Sequence, residues 1–140
     1  MSHRTATVPR RRAAAERRRA EETAATLTLA QGLFNLVGGA WPLLHRRSFE
    51  WFFGPKHDGW LQHTVGGLLV VAGLAQLRGA DHPQGRAVAR LLGLGTAATL
   101  LSVDLTYVPR GRIRPTYLLD AALEACWITA WLRQCRQQPH

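Results

Sequence analysis

Residues 59–77, GWLQHTVGGLLVVAGLAQL, run for nineteen positions without a formal charge when His63 is neutral. No other feature restricts the fold as much. A helix rises 1.5 Å per residue, so about 20 apolar residues cross a hydrocarbon core of about 30 Å. One comparable run precedes it and two follow. Residues 27–44 form eighteen uncharged positions; residues 87–108 are interrupted only by Arg90 and Asp104; residues 116–132 carry Asp120 and Glu124 and are the least apolar. These four spans predict an all-α fold, a four-helix transmembrane bundle. A soluble helical bundle needs polar outer faces on its helices. The stretch VGGLLVVAGLA at 65–75 offers none.

The connections agree. His45-Arg46-Arg47, the run from Arg78 to Pro83, and Val108 to Arg112 each carry charge, and the last two add glycine and proline. All are too short to hold another domain. Trp41, Trp51, Trp60 and Trp131 fall near span boundaries, where tryptophan anchors a helix at the membrane interface. Ala89, Gly93 and Ala97 place a small residue at every fourth position of the third span, which allows close helix approach in lipid.

The mean hydropathy is near neutral only because residues 1–26 form a different kind of segment, a basic arm with ten charged residues. Its run RRRAAAERRRAEETAA is helix-compatible, flexible or helical, and has no apolar stripe to lie on a membrane. Glu21 and Glu22 beside the first apolar run argue against a cleaved leader. With the arm in the cytoplasm, that side collects twelve basic residues against six; without the arm the count is five against six. The positive-inside rule therefore places the N-terminus in the cytoplasm and the protein in an inner membrane, on the strength of the arm. The formal charge of +9 suits anionic lipid headgroups. No aromatic residue interleaves with the arginines to stack on bases, so nucleic acid is not the expected partner. The bilayer is, and a protein partner or a second copy of the chain is compatible with the pattern. Residues 133–140 form a short tail.

The polar residues inside the spans are the candidates for function. Asp120 and Glu124 are four apart and share a helix face, which continues through Tyr117, Trp127 and Trp131. Asp104 lies one turn from the end of the third span, at the depth of Asp120 in an antiparallel hairpin. Asn35 and Glu124 are each the ninth residue of their spans. Ionisable groups in lipid are costly and face a bundle interior. An interior lined by Asn35, Asp104, Asp120, Glu124 and Tyr117 is therefore expected, either locking the helices through pairs with arginine or with backbone and amide donors, or holding a ligand. His63 reads as a packing or interface residue. Cys126 and Cys135 match neither a metal-ligand nor a redox spacing, and Cys126 is expected to be buried and inert. No cofactor, metal or nucleophile motif occurs, so a non-enzymatic role is the expectation. The alternative is a proton-coupled carrier or a lipid-modifying enzyme using Asp120 and Glu124.

The first connection, SFEWFFGPKHDGWLQHT at 48–64, is more than a turn. Ser48 is placed to cap a short interfacial helix, Gly54-Pro55 to end it, and Asp58 to cap the next span, with Lys56 within reach of Glu50 or Asp58. Together with Phe49-Glu50, the motif Gly54-Pro55-Lys56, Asp58, Trp60-Leu61 and Thr64-Val65-Gly66 resembles that of a family of small bacterial integral membrane proteins with four helices. Tyr117-Leu118, Asp120-Ala121 and Glu124 match that family's last helix, and Asp104 its third. The resemblance covers about residues 27–132. It implies a fold and no activity, and it singles out Glu50, Lys56, Asp58 and Trp60 as a loop motif.

Overall fold

A computed structural model describes residues 7–55 and 58–137, and every element in them is helical. In chain order these are α1 (Thr7–Leu44), α2 (Arg46–Phe53), α3 (Gly59–Gly79), α4 (Pro83–Tyr107) and α5 (Tyr117–Arg136). Three of them, α1, α3 and α4, are long and apolar enough to cross a membrane. α5 falls short of that standard because Asp120, Glu124, Arg133 and Arg136 interrupt its twenty residues.

α1 joins the described part of the arm to the first span as one helix. It runs unbroken for 38 residues through the expected boundary at residue 26. Ala20 and Ala24 are buried, continuing downward the inner stripe of Thr28, Gln31, Asn35 and Gly39. The stripe escapes a hydropathy reading because its arm portion consists of alanines alone. The arm arginines from Arg10 to Arg19 are exposed.

α3 packs antiparallel against α1 along a seam of glycines. A Cβ on Gly39 would lie 2.5 Å from the Gly66 carbonyl oxygen, and one on Gly73 would lie 2.6 Å from the Gly32 carbonyl oxygen. Each helix thus presents two glycines seven residues apart, two turns of helix, so both contacts fall on one seam. α4 packs on α3 and α5 on α4, and both also touch α1. The α4 face toward its neighbours is Ala89, Gly93, Ala97 and Asp104, all buried, as the small-residue spacing predicts.

The arrangement is apolar outside and polar inside. Leu33, Val37, Leu68, Val71, Val88 and Leu91 are exposed, whereas Thr28, Gln31, Asn35, Gln76, Asp104, Glu124 and Gln134 are buried. Water would favour the reverse distribution. A hydrocarbon solvent favours this one, since polar groups there must find partners within the protein.

Candidate functional site

Three layers of side chains follow one another along the interior. The lowest is a network of amides. Trp131 Nε1 donates to Gln31 Oε1 at 2.7 Å, and Gln31 Nε2 donates to the Gly93 carbonyl at 3.0 Å. Gln76 Nε2 donates to Gln31 Oε1 at 3.3 Å and to the Ala89 carbonyl at 3.2 Å; Asn35 Nδ2 donates to Gln76 Oε1 at 2.7 Å. The five side-chain bonds join α1, α3, α4 and α5. Gly93 is glycine for a reason: a Cβ there would press directly onto Gln31 Oε1 and lie 2.8 Å from Gln76 Nε2.

This network moves two sequence expectations. Asn35 belongs to the amides, bonded to Gln76 on α3. Trp131 is no interface anchor; it is 1 % exposed and its indole N–H serves Gln31. Its position near the end of an apolar run suggested an anchor, but the unbroken α1 extends the protein interior past that level. Trp51 and Trp60 are exposed, as anchors should be.

The middle layer is acidic. Glu124, on the inner face of α5, is 1 % exposed, and neither of its carboxyl oxygens has a hydrogen-bond partner among the described residues. Asp104 on α4 is 2 % exposed. Asp120, one turn before Glu124, is half-buried. Asp104 and Asp120 are near enough for their charges to be felt at both Glu124 and Tyr117. Asp104, Asp120, Glu124 and Tyr117 thus share one electrostatic neighbourhood between α4 and α5, while the Asn35 amide is bonded to Gln76. The acids are distributed along two helices, and among the described residues no three His, Cys, Asp or Glu side chains converge as metal ligands would.

The upper layer is aromatic. α2 folds back so that Phe53 meets Tyr117 at 4.6 Å between ring centroids, Phe49 and Phe52 each lie 4.8 Å from Phe53, and Trp41 touches all three phenylalanines. Two hydrogen bonds tie this elbow to the third connection: Arg114 Nη1 donates to the Trp51 carbonyl at 3.1 Å and Thr116 Oγ1 to the Phe52 carbonyl at 3.1 Å. The turn closing α2 is Gly54, at φ 96°, a left-handed conformation that suits glycine. Arg114 packs against the space a Cβ there would occupy.

The loop motif is assembled differently from expectation. Glu50 pairs with Arg46 at 2.6 Å, one turn back on α2. His45 caps α2 by accepting from the Ser48 N–H, while Ser48 Oγ accepts from Trp41 Nε1 at 2.7 Å. Asp58 occupies the cap position of α3 but its side chain makes no capping bond; its backbone carbonyl accepts from Leu61 and Gln62. Lys56 lies outside the described residues. His63 Nδ1 donates to the Gly59 carbonyl, one turn back on α3, at 2.6 Å. Cys126 is exposed rather than buried, because it points off the outer face of α5, and Cys135 is half-buried. Gln76 and Gln134 were not legible as interior groups from spacing alone, whereas Trp131 lies on the face that spacing gives to Asp120 and Glu124. Gln31 and Asn35 are four apart in the first span and so share a helix face, and a glutamine inside the second span was the available clue to their partner. Comparison of the chain with protein-family models, curated proteins and solved structures finds no match.

Proposed function

We propose that this chain is a non-enzymatic four-helix bundle of an inner membrane, whose acidic interior binds a small cationic ligand. The observation that carries the reading is Glu124, 1 % exposed with both carboxyl oxygens unpartnered among the described residues. A buried carboxyl in that state is costly in a low-dielectric interior unless a proton or a cation satisfies it. Asp104 and Asp120 add acceptors beside it. Above them the rings of Phe53 and Tyr117 supply the electron-rich faces that attract organic cations. A protonated amine suits carboxyls below and aromatic rings above.

Membership of α5 in the bundle as a fourth span is part of this reading. Its twenty residues reach about 30 Å. Leu118, Leu119, Leu123 and Leu132 on its outer face are exposed, which suits lipid contact. The loop motif's resemblance to a bacterial four-helix family points the same way, and the arm's arginines favour a cytoplasmic N-terminus.

Native mass spectrometry of the full chain released from nanodiscs tests the proposal, with a panel of primary and quaternary amines as probes. Wild-type protein is expected to retain an amine that folded Glu124→Gln does not. Equal retention by the two, or none by the wild type, overturns it. The enclosure of Glu124 favours one variation, in which Glu124 exchanges a proton for the amine and the bundle works as a proton-coupled carrier. In that case proteoliposomes of the wild type, and not of Glu124→Gln, dissipate an imposed pH gradient when the amine is supplied on the opposite side, and not without it.

A further inference from the structure

A second site lies at the other end of the interior, roughly 25 Å down α1 from the aromatic layer by helix rise. A cleft of about 290 Å³ opens there between α1, α4 and α5, over a floor of Trp131 and Gln134. Arg86 and Arg90 enter it from α4, four residues apart and so on one face. Neither guanidinium pairs with a carboxylate among the described residues. Arg86 Nη1 donates to the Ala80 carbonyl at 2.9 Å, and Arg90 Nη1 donates to Cys135 Sγ, a weak acceptor, at 3.4 Å. Most of the N–H groups of both forks are left for an occupant.

We propose that this cleft binds a phosphate group, with Arg86 and Arg90 as its ligands. Planar guanidinium forks match phosphate oxygens in pairs. Pro83, at the first turn of α4, also lines the cleft, and the cap residue His82 makes no side-chain bond to that helix end. The positive end of the helix dipole therefore faces the same space. Glu21 lines the rim from α1. Two guanidiniums against one carboxylate leave the walls one net positive charge, which suits a singly charged phosphodiester better than a polyphosphate. The volume is at the small end for ligand sites and takes a headgroup, not a large molecule. A phospholipid headgroup is the nearest source if α4 and α5 both cross a bilayer, and this clause alone depends on the four-span reading; phosphate binding does not.

The test is native mass spectrometry, with thermal unfolding, of the full chain in detergent supplied in turn with phosphatidylglycerol, diacylglycerol or inorganic phosphate. Phosphatidylglycerol is expected to bind and diacylglycerol not to. Arg90→Gln, which removes no carbonyl partner, should weaken binding roughly tenfold or more, the usual loss for a charge-assisted hydrogen bond, and Arg90→Lys should restore part of it. Glu21→Gln, an exposed change, should tighten binding. Inorganic phosphate binding without the phospholipid keeps the site and moves its source to solution. Equal retention of diacylglycerol and phosphatidylglycerol, or indifference of binding to both Arg90→Gln and Glu21→Gln, overturns the proposal. A chain that stays dispersed without detergent yet binds phosphate defeats the membrane reading and leaves the site intact.

Discussion

Gly93 and Gln31 set the terms at the scale of single residues. The Gly93 carbonyl takes a hydrogen bond from Gln31, and its missing side chain gives Gln31 and Gln76 their room. Gly93→Ala therefore does more than add a methyl group: it displaces the acceptor oxygen on which Trp131 and Gln76 both converge. Each buried donor left without a partner costs about 1–3 kcal/mol, and a loss of ~2 kcal/mol is expected once the network has relaxed. Gly95→Ala is the control, because nothing lies within 4 Å of a Cβ there. Thermal unfolding in detergent should show the first variant clearly destabilised and the second unchanged or slightly stabilised by alanine's helix propensity. Gln31→Leu should reproduce the Gly93→Ala loss, since it deprives the Trp131 indole of its acceptor. If Gly93→Ala and Gly95→Ala unfold alike, the network holds nothing together. Glu124 differs from these amides. Glu124→Gln replaces a group with no hydrogen-bond partner among the described residues, so its folded yield and unfolding temperature should equal or exceed those of the wild type, whereas a structural carboxyl would show a loss.

Between elements, the α1–α3 contact depends on backbone proximity and not on side-chain interdigitation. Gly39→Val or Gly73→Val would drive a branched side chain into the opposite backbone, where a Cβ alone already lies 2.5–2.6 Å from a carbonyl oxygen. Gly38→Val and Gly67→Val, each next to a seam glycine in the sequence with nothing within 4 Å, should be tolerated. Cysteines placed at the seam in a Cys126, Cys135-free background would report the same difference as lost cross-linking. Helix existence was legible in the sequence because uncharged length is a strong signal, and the small face of α4 was legible because Ala89, Gly93 and Ala97 recur every four residues. Two things were not. The continuity of α1 is carried by Ala20 and Ala24, residues that hydropathy cannot tell from solvated helix. The route of α2 is fixed by Arg114, Thr116 and Tyr117, more than sixty residues away in the chain, and no local pattern contains it. The acid cluster was readable from i,i+4 spacing and hairpin depth. The partner of Asn35 was not readable, because depth places a residue along a helix but not around it, and its amide meets Gln76 on α3.

For the whole molecule, the inverted distribution of polarity makes the number of crossings a physical question about α5. Gln134, near the end of α5, donates to the Ala20 carbonyl at 3.5 Å, so the last turn of α5 lies at the level of the arm. The first turn of α5 lies at the opposite end, against α2 through Phe53 and Tyr117. α5 therefore runs alongside α4 from the aromatic layer to the level of Ala20, and its exposed leucines take the same solvent as those of α3 and α4. If that solvent is lipid, the carboxyls of Asp120 and Glu124 stay on the inner face and their insertion cost is met by the protein interior, not the bilayer. Four crossings place residue 137 on the side of the arm and residues 108–116 on the other. A topology reporter fused after Gln137 should accordingly read cytoplasmic, and the same reporter inserted at Gly111, an exposed turn glycine at φ 65°, should read external. With three crossings, both reporters fall on the external side. Agreement of the two would remove α5 from the membrane and, with it, the reason for Glu124 to be buried in a low-dielectric interior.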